Sequence, residues 1–112
     1  MVLIHTNVID YKFAFERDLI AAIRPYAWFG SLREFGDWWS ARNVVECDVE
    51  SAAGGHTVTL NVPKRINGLT LNLPTGMRVT ATEPATLKVS QTGNSLVIES
   101  AEGIVRLRLV KT

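Results

Sequence analysis

The stretch Val45-Glu46-Cys47-Asp48-Val49-Glu50 alternates apolar and acidic side chains with a period of two. Successive side chains of a β-strand point to opposite faces, so Val45, Cys47 and Val49 share one face and three carboxylates the other. On this alternation Cys47 turns inward, as an inert core thiol. The pattern returns in Val58-Leu60-Val62, Leu69-Leu71-Leu73, Met77-Val79-Ala81, Leu87-Val89, Leu96-Ile98 and Val105-Leu107-Leu109. Between these segments lies turn chemistry: Gly54-Gly55, Asn67-Gly68, Pro74-Thr75-Gly76, Glu83-Pro84, Gly93-Asn94 and Glu102-Gly103. About seven short strands with no helix between them predict a small antiparallel β-sandwich over residues 44–112. Its inner faces supply the core, and Thr, Asn, Lys and Arg cover the outside.

Working back toward the N-terminus, residues 1–43 read differently. Val2-Leu3-Ile4 is a short apolar run of the kind found in buried parallel strands. His5 follows at the carboxyl end of that strand, where open α/β folds gather their chemistry. Imidazole titrates near neutrality, so His5 suits acid or base work; it equally suits a polar cap on a strand. From Val8 to Ile23 the residues Ile9, Phe13, Ile20 and Ile23 share a helical face, interrupted by Lys12, Glu16 and Arg17. Arg24-Pro25 ends the helix, because a residue before proline is pushed out of the helical region. Tyr26–Phe29 reads as extended and is closed by Gly30. Ser31 and Glu34 form the Ser-x-x-Glu capping box of a second helix that runs to about Asn43. Trp38 and Trp39 point about 100° apart on that helix, so burying both requires a crevice between two layers. Core packing is the first reading for this pair and a sugar-stacking platform the second. The fold class is therefore α+β: a short N-terminal strand and two helices over residues 1–43, then the sandwich.

Composition narrows the function. The chain has 112 residues, enough for one compact domain or a small domain plus a piece of another. Its hydrophobic fraction is 46% and its mean hydropathy +0.10, ample for a core. No apolar run approaches the ~18 residues of a membrane span, and Val2–Ile4 is too short for a signal peptide's apolar core. A cytoplasmic protein with no membrane partner is the expectation. The single cysteine allows no internal disulfide. Residues 1–50 carry five Lys/Arg against eight Asp/Glu, and residues 51–112 seven against three, for a net charge of +1. Neither half has the dense basic stripe with aromatic platforms that nucleic acid requires.

Recognised catalytic motifs are absent: no His-x-x-His, His-Glu-x-x-His, Cys-x-x-Cys, glycine-rich phosphate loop or Gly-x-Ser-x-Gly occurs. Two histidines and one cysteine, far apart in sequence, do not make a metal site, so no cofactor is expected in this chain. His56 lies beside a turn without a spaced partner. Lys64-Arg65 lies in a loop, where it could meet an anion. Arg106 and Arg108 share a solvated strand face.

The front of the chain resembles a known family. Leu3-Ile4-His5 is similar to the Leu-x-His motif near the end of polysaccharide deacetylase domains (carbohydrate esterase family 4). The layout after it is similar too: a helix, the aromatic run Trp28-Phe29, Gly30-Ser31-Leu32, and a final helix with Trp38-Trp39 and Arg42. The resemblance covers residues 2–43. It implies the tail of a distorted α/β barrel that removes N-acetyl groups from polysaccharide with a bound divalent metal. In that setting His5 would be the general acid on the leaving amine, and Leu3 would line the acetyl pocket. The family's metal ligands and base come from earlier motifs that this chain lacks, so it should not hydrolyse anything by itself.

Three expectations follow. The first is a C-terminal fragment or accessory region of a deacetylase-like protein, acting on polysaccharide only in a full-length parent. The second is a stand-alone sugar-binding module, weakened because all nine aromatic residues lie at or before Trp39. The third is a structural or interaction domain that docks through its edge strands or the Trp38–Trp39 helix. Helices without the barrel they resemble should bury their apolar faces on the sandwich, or in a homodimer through the helical segment.

Overall fold

The computed structural model of the protein describes residues 11–112. The expected strand Val2–Ile4, with Leu3 and His5, lies outside the described residues. The chain divides into two compact units, Met1–Ser31 and Leu32–Thr112.

In the first unit α1 spans Tyr11–Ile23. It ends at the expected place: Arg24 N–H donates to the Ile20 carbonyl at 2.9 Å and Tyr26 N–H to Ile23 at 2.9 Å, either side of Pro25. None of its residues is buried, and Tyr11, Phe13 and Phe15 are well exposed.

The second unit opens with α2, Leu32–Asn43, which leaves Ser31 at the N-cap position and Glu34 at N3. A sheet follows, built from β1 (Glu46–Ala52), β2 (Gly55–Asn72), β3 (Met77–Glu83), β4 (Val89–Thr92) and β5 (Ser95–Lys111). Every pairing is antiparallel, in the order β1-β2-β5-β3, with β4 beside the first part of β5.

Five strands take the place of the expected seven or so, because two of the expected turns are corners inside long strands. Val58–Val62 and Leu69–Leu71 both belong to β2, and Leu96–Ile98 and Val105–Leu109 both belong to β5. Where turns were expected, Gly68 (φ +68°) and Gly103 (φ +77°) adopt left-handed backbone without reversing the chain. The register passes from Val62↔Gly103 to Ile66↔Ala101, so Pro63-Lys64-Arg65 bulges opposite Glu102 alone. The buried positions then change parity, from 58, 60, 62 and 66 to 69 and 73.

These corners bend the sheet back on itself. A straight strand of 17 residues would extend about 55 Å, yet both ends of β5 meet the Thr75-Gly76 turn. Thr112 N–H donates to Gly76 O at 2.8 Å, while Asn94 Nδ2 donates to Thr75 Oγ1 at 3.2 Å. Gln91 of β4 closes the gap to β3, accepting from Val79 N–H at 3.2 Å and donating to Met77 O at 2.8 Å. Val58, Leu60, Val105 and Leu107 from one half of the bent sheet thus join Leu69, Leu96 and Ile98 from the other in one core.

Two expectations about facing fail for local reasons. Cys47 is exposed, as is all of β1. It pairs with buried Leu60 and so takes the core's face, but β1 is an edge strand and extends beyond the core's cover. Ala81 does not share the inward face of Met77 and Val79. The register runs from Val79↔Leu109 to Ala81↔Arg108, so a bulge at Thr80 turns Ala81 outward.

Candidate functional site

The described residues gather their most unusual surface on α2. Phe35, Trp38, Trp39 and Arg42 follow the i, i+3, i+4, i+7 spacing of a single helical face. Their rings form one group: Phe35 lies 6.5 Å from Trp38 and 5.8 Å from Trp39, and the two indoles are 6.5 Å apart. The Arg42 guanidinium stands over the Trp39 ring, 5.4 Å from its centroid, a cation–π contact that occupies one face of the indole.

Neighbouring positions fix α2 to the sheet. Ala41 is buried in the core, and its small side chain permits close approach to β2. Trp38 packs against the core, and its indole N–H donates to the Asn67 carbonyl at 2.8 Å. That carbonyl lies at the corner of β2, so the corner that bends the sheet also offers Trp38 its acceptor. Phe35 and Trp39 each remain 47% exposed. The adjacent tryptophans thus divide their roles, Trp38 toward the sheet and Trp39 toward the outside. Phe35 and Arg42 complete the stripe, and their helical spacing from the tryptophans is the sequence signal that joins them.

Elsewhere the expected residues find modest partners. His56 Nδ1 lies 3.0 Å from Ser51 Oγ, because the two are register partners across the β1–β2 hairpin. No carboxylate orients the imidazole among the described residues. Arg65 is engaged by Glu102 at 2.9 Å, and Lys88 by Glu99 at 3.7 Å. Both pairs are exposed and border an open depression of about 370 Å³ beside Pro84 and Leu87. No group of three or more His, Cys, Asp or Glu comes together among the described residues, so these residues do not form the donor set of a divalent metal. Leu3 and His5 lie outside the described residues. No helix is long and apolar enough to cross a membrane among the described residues.

No family model, curated protein or solved structure matches the chain.

Proposed function

We propose that the chain is the C-terminal part of a polysaccharide deacetylase-like protein, with residues 1–43 the tail of its deacetylase domain and residues 44–112 an accessory β-unit that performs no chemistry of its own. The observation that carries this reading is the α2 stripe. A surface of Phe35, Trp39 and Arg42 has the aromatic and arginine composition of a protein docking site rather than of a reaction centre. By the sequence resemblance α2 is the last helix of the deacetylase domain, so the stripe is the surface the upstream enzyme body would cover. His5 would then be the general acid and Leu3 part of the acetyl pocket, with metal ligands supplied from upstream. Polysaccharide would be the substrate of the whole protein.

The runner-up is a stand-alone interaction module, for which the same stripe would dock a separate partner. Arg42 over one face of Trp39 and the tilted Phe35 ring 5.8 Å away leave less open indole for a stacked pyranose, which favours docking over sugar binding.

An immunoblot of the native source against this chain separates the readings. The proposal expects a band far above 12.4 kDa. In that longer protein His5→Ala should lower N-deacetylation by about 10²–10⁴-fold, the usual contribution of a general acid. A band near 12.4 kDa would leave the chain to work alone and would overturn the deacetylase reading.

A further inference from the structure

We propose that the outer face of the β1-β2-β5-β3 sheet is self-complementary and pairs with a second copy of this chain about a two-fold axis running along β2. The inference does not depend on the deacetylase reading.

The strand register places the charges. On β1 the outward residues are Glu46, Asp48 and Glu50, opposite Asn61, Thr59 and Thr57 of β2. Thr59 and Thr57 in turn face Arg106 and Arg108 of β5. The face therefore carries an acidic stripe, a neutral central stripe and a basic stripe, the outer two separated by two strand spacings, about 10 Å. Asp48 shares a row with Arg106, and Glu50 shares the next row with Arg108.

A sheet face offers three two-fold axes for pairing with itself. An axis normal to the sheet beside β1 joins edge to edge and sets carboxylates against carboxylates. An axis in the plane and across the strands lays acidic stripe on acidic stripe and basic on basic. Only an axis in the plane and along β2 exchanges the stripes while keeping the rows. It lays Glu50 over the second copy's Arg108, and Arg108 over its Glu50. Sheets stacked face to face lie about 10 Å apart, a gap these two side chains can span together.

The pairing within each chain points the same way. Arg106 is already held by Glu83 at 3.1 Å, Glu46 accepts from Asn61 Nδ2 at 3.0 Å, and Asp48 accepts from its neighbour's Val49 N–H at 3.0 Å. Glu50 and Arg108 have no side-chain partner among the described residues. Among the outward charges of β1 and β5 these are the two without a partner, and they are the two that the axis brings together; the outward Arg78 of β3 lies beyond the overlap of the two copies. A net charge of +1 adds little overall repulsion. The patch is polar and its matched charges are exposed, so association is weak and sensitive to salt.

Sedimentation equilibrium of the 112-residue chain tests this at roughly millimolar protein, in ~0.01 M and in ~1 M salt, where the screening length falls about tenfold. The weight-average mass should rise toward twice 12.4 kDa at low salt and return to the monomer value at high salt. Glu50→Arg alone and Arg108→Glu alone should each stay monomeric, whereas an equimolar mixture of the two variants should dimerise. The double variant Glu50→Arg/Arg108→Glu should dimerise by itself, which separates a lost contact from a misfolded chain. A wild-type monomer at low salt would overturn the proposal. So would a dimer that both single variants retain, which would place the interface elsewhere.

Discussion

Leu60 and Leu107 are fully buried, and each lies near the middle of its strand's core face. Val49 takes the same face of the sheet as its register partner Val58, yet it is 56% exposed. Leu60→Ala should cost about 2–5 kcal/mol, because truncation leaves a cavity that neighbouring strands cannot close. Val49→Ala should cost less than about 1 kcal/mol. Urea unfolding of both variants checks the contrast, and a large loss for Val49→Ala would mean that β1 is covered after all. This pair also marks how far a sequence pattern reaches. Alternation tells which way Val49 and Cys47 point. It does not tell whether another layer extends far enough to cover them, since that depends on where strands from other parts of the sequence end.

At the scale of elements, the β-rich half, the two helices and the Ser31 and Pro25 boundaries were legible, because each rests on local chemistry. The strand count was not. Asn67-Gly68 and Glu102-Gly103 have the composition of tight turns, and Gly68 and Gly103 do take positive φ. A hairpin turn and a corner in a long strand make the same demand on the backbone there, so the residues alone cannot separate them. The aromatic stripe was half legible. Trp38 and Trp39 stood out as a pair, but their division between sheet and surface depends on an acceptor, Asn67 O, 29 positions away. Trp38→Phe keeps most of the packing and removes that donor. It should cost about 0.5–1.5 kcal/mol, the usual net value of one hydrogen bond. Trp39→Phe should leave thermal stability within about 0.5 kcal/mol of wild type. Differential scanning calorimetry of the two variants would show whether α2 is held to the sheet in this way.

At the scale of the second unit, the bent sheet depends on a few polar ties where its two halves meet. Gln91 is the most connected of them, accepting from Val79 N–H and donating to the carbonyls of Met77 and Gly93. Gln91→Ala breaks all three bonds and should destabilise the unit by about 1–3 kcal/mol. Amide hydrogen exchange would locate the effect, with faster exchange expected at Val79 and little change at Leu60. Uniform acceleration across the sheet would mean instead that Gln91 supports the whole core.

The central place of β5 has a consequence for how the chain acquires its structure. β5 pairs with β2, β3 and β4, and its contacts with β2 run from 23 residues apart at Asn72↔Ser95 to 53 at His56↔Leu109. Before residues 95–111 leave the ribosome, the β1–β2 hairpin is the only ladder of this sheet that has both its strands. Contacts so distant in sequence close slowly, on the millisecond-to-second scale of sheet-rich domains. During that interval Val58, Leu60 and Val62 are synthesised but uncovered, and the carboxylates on β1 are the nearest charges that can keep one nascent hairpin from adding to another.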